Sequence, residues 1–233
     1  MKKTAINKAT ELAAALMEKG TLIAPVKEDA GFNFREISDA KQVDLNFHNT
    51  IISPKSAFFP QTEDFVRYQT GKSILEATPV ELNIKPAFLF GVRPCDVKSF
   101  EIMDIHFSGT GLVDPYWQKR REATTVFGYA FDLDKPAEAE EFYQTLGIGA
   151  ADPEGSDIFM VKKDNDLLMK AITPRGEKLL TGLNIPSEAS DGMLSPVSSF
   201  SPLGVMAFMS RSLSFFTMKI SLPSGSAAPI PSV

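Results

Sequence analysis

The stretch AFLFGVRPCDVKSFEIMD, residues 87–104, joins a strand-like run to a helix-like segment through Arg93-Pro94. Its first six residues form an uninterrupted apolar run of strand length, which predicts an interior strand. Apolar residues with helical spacing follow the corner, and Asp96 before them is a residue type that caps helix N-termini. The residues with helical spacing are Val97, Phe100 and Met103. A buried strand leading directly into an amphipathic helix is typical of α/β proteins.

Other segments add strands and helices to this unit. Short apolar or alternating runs bounded by turn residues predict further strands, and these are residues 21–26, 31–37, 123–131 and two strands within 157–173. Helical spacing and helix-start residues predict further helices, and these are one that stops at Gly20, one that begins near residues 62–64 and one within 134–149. The order predicts an α/β or α+β fold with a mixed sheet flanked by helices.

The C-terminal part of the chain differs in composition from the rest. From Gly192 to Val233 only Arg211 and Lys219 are charged, while serine and proline are frequent and no helical or strand period persists. We therefore predict a globular domain over residues 1–190 and an irregular Ser/Pro-rich tail over residues 191–233. Two alternatives remain for the tail: an interaction segment, or translation in a shifted reading frame after about Pro186.

Composition excludes several classes of protein. The 233 residues are 43% hydrophobic with a net charge of −5, and this mildly acidic balance argues against a general nucleic-acid surface. A single cysteine excludes an internal disulfide framework and a cysteine-rich zinc finger. No window has the roughly 18 apolar residues that a membrane span needs, and the N-terminal segment lacks the apolar core of a signal peptide. The sequence therefore predicts a cytoplasmic protein.

The single cysteine, Cys95, is the strongest candidate for a functional residue. It follows the predicted strand and precedes the predicted helix, where unpaired N–H groups and the helix dipole would stabilise a thiolate or a bound anion. Free cysteines are also often simply buried. Three interpretations therefore stay open: a buried filler, a reactive nucleophile, or one ligand of a site with further ligands elsewhere.

Other candidates have weaker signals. His48 and His106 have no acidic residue or cysteine at a metal-ligand spacing, so they predict no metal site. The glycine pairs within residues 109–111 and 147–149 do not complete a nucleotide-binding motif, which favours ordinary loop geometry. Arg120-Arg121 could bind an anion or a partner carboxylate, or could form a solvated basic pair.

Three motifs, taken in order, resemble one family. They are SPKSAFFPQTE at residues 53–63, GVRPCDVKSFEIMD at 91–104 and DPYWQKRRE at 114–122. Together they closely resemble the iron–sulfur electron-transfer proteins of anaerobes, which include the beta subunits of cytoplasmic sulfhydrogenases, an iron–sulfur subunit of anaerobic sulfite reductase and related 4Fe–4S dicluster proteins. The resemblance extends from Met1 to about Leu180, and it is the combination of motifs that makes it specific.

The resemblance implies a set of cluster ligands that this chain lacks. In the family the RPCD cysteine joins a cysteine at the end of the next strand and a later Cys-x-Cys pair to hold a 4Fe–4S cluster. Those later positions fall here on Phe131, Glu141 and Tyr143, which we expect to lie near Cys95. Cys95 is then the sole remaining ligand, with Arg93 and Asp96 beside it as cofactor-binding neighbours.

The resemblance also implies a function. A 4Fe–4S cluster normally needs four thiolates, so we expect this chain to be a truncated, cysteine-depleted relative that holds no stable cluster and is not catalytic by itself. Its partners would be a flavin or nicotinamide-linked subunit and a reductase or hydrogenase subunit of one redox complex. The alternatives are a non-redox scaffold or docking subunit, and an enzyme with Cys95 as nucleophile.

Overall fold

The computed structural model describes residues 2–5, 9–70, 75–109, 111–130, 143, 145–149, 152–163 and 166–183. The described strands are β1 Lys2–Ala5, β2 Thr21–Glu28, β3 Gly31–Glu36, β4 Val66–Thr70, β5 Leu75–Pro79, β6 Ala87–Val92, β7 Thr124–Tyr129, β8 Ile158–Lys163 and β9 Asp166–Ala171. The described helices are α1 Ala9–Met17, α2 Pro94–Ser108, α3 Pro115–Ala123 and α4 Pro174–Gly182. The predicted tail, residues 191–233, lies outside the described residues.

Seven of these strands form one mixed sheet in the order β1-β9-β8-β7-β6-β2-β3. The four central strands, β8, β7, β6 and β2, are parallel, and antiparallel strands pair with them at both sides. The side chains of β7 are buried along its whole length, and those of β6 are buried after Ala87. This pattern is expected of interior strands covered on both faces. The predicted α/β fold with a mixed sheet flanked by helices is confirmed.

The quoted stretch folds as predicted in its strand and its helix but not in its cap. β6 and α2 lie where the apolar run and the helical spacing predicted them, and Val97 and Phe100 are buried. The prediction that Asp96 caps the helix is wrong, because α2 already begins at Pro94 and its N-cap residue is Arg93, with no side-chain cap bond. Proline at the first helical position lacks only an N–H that would have no helical partner.

A glycine bulge turns the chain out of β6 towards this corner. The pairing of β6 with β7 shifts register between Phe90 and Val92, and Gly91 between them has a φ of 83°. A Cβ atom at Gly91 would lie only 2.9 Å from the Cδ2 atom of Leu45. Positive φ and this close approach both favour glycine.

The sequence analysis assigned one other segment wrongly and missed several elements. The segment at residues 62–64 starts no helix; it leads into β4, which pairs with β5 in a separate two-stranded sheet. The prediction omitted β1, this hairpin, α3 and α4. Most of the helix predicted within residues 134–149 lies outside the described residues. Among the described residues, no helix is long and apolar enough to cross a membrane.

The N-terminus of α3 shows the side-chain cap that α2 lacks. Asp114 precedes Pro115, and its Oδ1 atom accepts hydrogen bonds from the backbone amides of Tyr116 at 2.8 Å and Trp117 at 3.0 Å. We expect Asp114→Ala to lower the free energy of unfolding by about 1 kcal/mol. Urea unfolding would measure this loss, and Asp114→Asn, which keeps an acceptor oxygen, should lose less. An alanine variant as stable as the wild type would contradict the capping role.

Candidate functional site

The candidate site lies where β6 and β7 end at the same edge of the sheet. Val92, the last residue of β6, pairs with Gly128 next to the end of β7. α2 begins directly after β6, so the RPCD motif occupies the turn between strand and helix. Because the carboxyl ends of parallel strands meet at one edge, residues far apart in sequence come together there.

Arg93 is buried at this edge with its guanidinium group bonded to backbone carbonyls. Nη1 donates to the carbonyl of Ala130 at 2.6 Å, Nε donates to that of His48 at 3.2 Å, and Nη2 donates to that of Phe47. The guanidinium carbon also lies 4.3 Å from the ring centroid of Phe47 and 4.7 Å from that of Tyr129. Arg93 therefore ties the loop around residue 47 to the end of β7.

Cys95 is partly buried in the first turn of α2 and contacts Tyr143. Its Sγ atom lies 3.7 Å from the Tyr143 hydroxyl, and Tyr143 is 2% exposed. Burial, followed by the neighbouring Asp96 carboxylate, raises the pKa of the Cys95 thiol, although the Tyr143 hydroxyl acts in the opposite direction. The backbone N–H groups of Cys95 and Asp96 lower the pKa of the thiol, as predicted for a helix N-terminus, but burial outweighs them.

Asp96 connects two of the sequence motifs. Its Oδ1 atom accepts a 2.7 Å hydrogen bond from the Ser53 hydroxyl, which belongs to the SPKSAFFPQTE motif. Burial raises the pKa of the Asp96 carboxyl above its ordinary value of 3.8; the Ser53 bond and the charges of Lys55 and Arg93 oppose the shift without cancelling it. Asp96 therefore links α2 to the segment that contains Ser53, and it does not act as the predicted helix cap.

The raised pKa of Asp96 predicts how stability depends on pH. The folded protein holds the carboxyl proton to a higher pH than the unfolded chain does, so ionisation costs stability as the pH rises from about 3.8 through the folded pKa. Between these two pKa values, the free energy of unfolding of the wild type should fall relative to that of Asp96→Asn. Above the folded pKa, the difference in free energy between the two proteins should become constant. Urea unfolding of both proteins from about pH 4 to about pH 7 would measure it. A pH-independent difference would contradict the prediction.

The residues Arg120 and Arg121 both form ion pairs. Arg120 forms a bidentate ion pair with Glu63 of the PQTE sequence. Arg121 pairs with Asp104 at 2.8 Å, and Asp104 also accepts a 2.6 Å hydrogen bond from the indole N–H of Trp117. The interpretation as a solvated basic pair is wrong, because both side chains are largely buried against partners within the chain.

Aromatic packing completes this link between the motifs. Phe58 is fully buried, with its ring centroid 4.9 Å from that of Phe100 and 5.6 Å from that of Trp117. The guanidinium carbon of Arg121 lies 5.0 Å from the centroid of Phe58. The three motifs that carry the family resemblance therefore meet in one packed and ion-paired cluster, which explains physically why they occur together.

Among the described residues, the two histidines and the glycine pairs singled out from the sequence do not lie together in one site. His48 and His106 are exposed; the His48 backbone carbonyl accepts from Arg93, and the His106 ring packs on Phe107. Gly111 and Gly147 have positive φ, which agrees with loop geometry. Within the described parts of the chain, no group of three or more histidine, cysteine, aspartate or glutamate side chains could hold a metal ion. Phe131 and Glu141 lie outside the described residues, so only Tyr143 of the three mapped positions can be placed beside Cys95.

Comparison with known proteins finds a curated relative. A stretch of 166 residues, or 71% of this chain, is 26% identical to sulfhydrogenase 2 subunit beta of Pyrococcus furiosus. The chain is similar to a sulfhydrogenase beta subunit. This confirms the resemblance drawn from the three motifs. The match covers 46% of that subunit, so the chain spans about half the length of the curated relative it matches. No family model and no solved structure matches the chain.

Among the residues that the structure describes, the donors near Cys95 do not fit the cluster that the resemblance implies. A cubane cluster is normally held by four thiolates, and Cys95 is the only thiol in the sequence. The donor next to its sulfur is a phenol hydroxyl on a buried ring. Phenol and carboxylate oxygens are hard ligands that suit iron–sulfur clusters poorly.

Proposed function

We propose that this chain is a subunit of an oxidoreductase complex that keeps the scaffold of the beta-subunit family without holding a 4Fe–4S cluster at Cys95. The observation that carries the proposal is the contact between the lone thiol and the buried ring of Tyr143. Where a cluster ligand would need open space on its coordinating side, Cys95 faces a packed aromatic residue. The chain would then be no electron relay at this corner.

The role that remains is to dock other subunits of the complex. The cluster of ion pairs and rings that joins the three motifs supports this proposal, because it preserves the structural core of the scaffold without requiring a cofactor. We propose as partners a flavin or nicotinamide-linked subunit and a hydrogenase or reductase subunit, in the cytoplasm. The chain itself would not be catalytic.

Iron analysis of the purified protein tests the absence of a cluster. The chain should be colourless after anaerobic purification, with iron and acid-labile sulfide no higher than in Cys95→Ala purified in parallel. Attempted reconstitution with iron and sulfide should not change this result. About four irons per chain, lost in the Cys95→Ala control, would overturn the proposal.

The docking role needs a separate test. A tagged chain expressed in its native host should co-purify with a subunit whose bound flavin absorbs visible light or which oxidises a nicotinamide cofactor. Arg121→Gln breaks the ion pair with Asp104 between two motifs. Because the proposed docking depends on an intact scaffold, this variant should co-purify less partner subunit than the wild type does. Recovery of the chain alone, with correct folding, would contradict the docking role.

A further inference from the structure

Cys95 and Tyr143 belong to a small packing cluster separate from the main core. Tyr143 and Ile148 are its buried members, and Cys95 and Leu146 pack against them. Tyr143 is one of the largest fully buried side chains among the described residues. Tyr143 lies beyond β7 in the chain, and its hydroxyl contacts a thiol 48 residues earlier in sequence.

We propose that the ring of Tyr143 closes the Cys95 corner and keeps the thiol shielded from solvent and from electrophiles. Cys95 packs against the cluster that contains the Tyr143 ring, and the Tyr143 hydroxyl lies 3.7 Å from Sγ. A buried phenol stays stable only where its hydroxyl has polar contacts. This inference rests on the proposed function and deepens it by naming the residue that occupies the corner.

The electrostatics around Tyr143 indicate what its removal would uncover. Burial is the main cause that raises the pKa of the Tyr143 phenol, and the charges of Arg93 and Asp96 also act on it. These two charged groups therefore lie close enough to influence whatever fills the space of the ring. Without the ring, the space beside Sγ would admit water and small electrophiles.

Alkylation of Cys95 by iodoacetamide tests the closure directly, because the chain has no other thiol. Native wild-type protein should react at least about tenfold more slowly than N-acetylcysteine, since the thiol is partly buried and its pKa is raised by burial. The same protein unfolded in urea gives the intrinsic rate of this cysteine. Tyr143→Ala should bring the native rate to within about threefold of that intrinsic value.

Two further variants separate the ring from the hydroxyl and guard against misfolding. Tyr143→Phe keeps the ring and should stay within about threefold of the wild-type rate. Tyr143→Leu replaces the alanine variant if the latter does not fold, and should react faster than Tyr143→Phe. Phe59→Ala is the control: it removes a ring outside this cluster at a position that is 56% exposed, and it should leave the native rate of Cys95 near that of the wild type.

The dependence of the rate on urea distinguishes local exposure from global unfolding. Reaction through a permanently opened corner should be nearly independent of low urea, whereas reaction through global unfolding should rise steeply with it. Alanine and leucine variants that react as slowly as the wild type would overturn the proposal, and so would a phenylalanine variant as reactive as alanine. The iron analysis is independent of these rates, so failure of the closure and failure of the proposed function are distinguishable.

Discussion

Arg93→Met is expected to lower the free energy of unfolding by about 3–5 kcal/mol. The guanidinium group of Arg93 donates to the backbone carbonyls of Phe47, His48 and Ala130. Methionine fills a similar volume but donates no hydrogen bond, so these carbonyls would lose their partner at a buried position. Chemical unfolding in urea would measure the loss, with the slope of the transition checked for a change in mechanism.

Two variants serve as controls for Arg93. Arg93→Lys keeps the charge but has no planar fork of donors, so its stability should lie between those of the wild type and the methionine variant. Arg35→Met removes an exposed arginine that pairs with Glu28 at the surface, and it should change stability little. Equal effects of Arg93→Met and Arg35→Met would contradict the role of Arg93 as a link between the loop and β7.

Phe58→Ala is expected to lower the free energy of unfolding by a similar amount, about 3–5 kcal/mol. Phe58 is fully buried and packs on Phe100 and Trp117, which belong to the other two motifs. Alanine would leave a cavity at the point where the three motifs meet, and Arg121 would lose an aromatic contact. Urea unfolding monitored by the fluorescence of the single tryptophan would measure the loss of stability, and the native fluorescence would report the changed packing around Trp117.

The next residue in the sequence gives the matched control for Phe58. Phe59 is 56% exposed, and its ring packs on that of Phe107. Phe59→Ala should therefore cost less than about 1 kcal/mol. Comparable losses for these two adjacent phenylalanines would show that burial at Phe58 is not the cause of its effect.

The expectation for Arg93 concerns the turn between β6 and α2, where the resemblance would place a cofactor. Arg93 and Asp96 both have structural partners there, the first in backbone carbonyls and the second in Ser53. These contacts explain how the residues of an RPCD sequence can stabilise a fold that holds no cofactor. We propose that the same residues that would surround a cofactor in the family are used here to hold the strand, the loop and the helix together.

Local sequence was sufficient for the elements that are decided by short-range pattern. The apolar runs of β6 and β7 have the length and composition of interior strands. The alternation of apolar and polar residues predicted the strand β3, although its burial does not alternate, since the neighbouring Asn33 and Phe34 are both buried. The spacing of Val97 and Phe100 predicts α2 in the same way. Such patterns report which face of an element is apolar, and that requires no knowledge of its neighbours.

Pattern failed where a contact between distant segments decides the outcome. Asp96 resembles a helix cap in sequence, but Pro94 begins the helix earlier and the carboxylate bonds to Ser53, 43 residues away. The residues near 62–64 resemble a helix start, yet Glu63 pairs with Arg120 and the chain continues into β4. Local propensities amount to fractions of a kcal/mol per residue and yield to such tertiary contacts.

The sequence by itself determined the fold class, the strand β6 with the helix α2 that follows it, the strand β7, the family resemblance and the presence of a single thiol. Only the tertiary structure decided what surrounds that thiol. The folded chain raises the pKa of Cys95 by burial, and it brings the hydroxyl of Tyr143 to 3.7 Å from the sulfur. The physical reason is that solvation and contact depend on segments that meet in space, and no local pattern records which segments will meet.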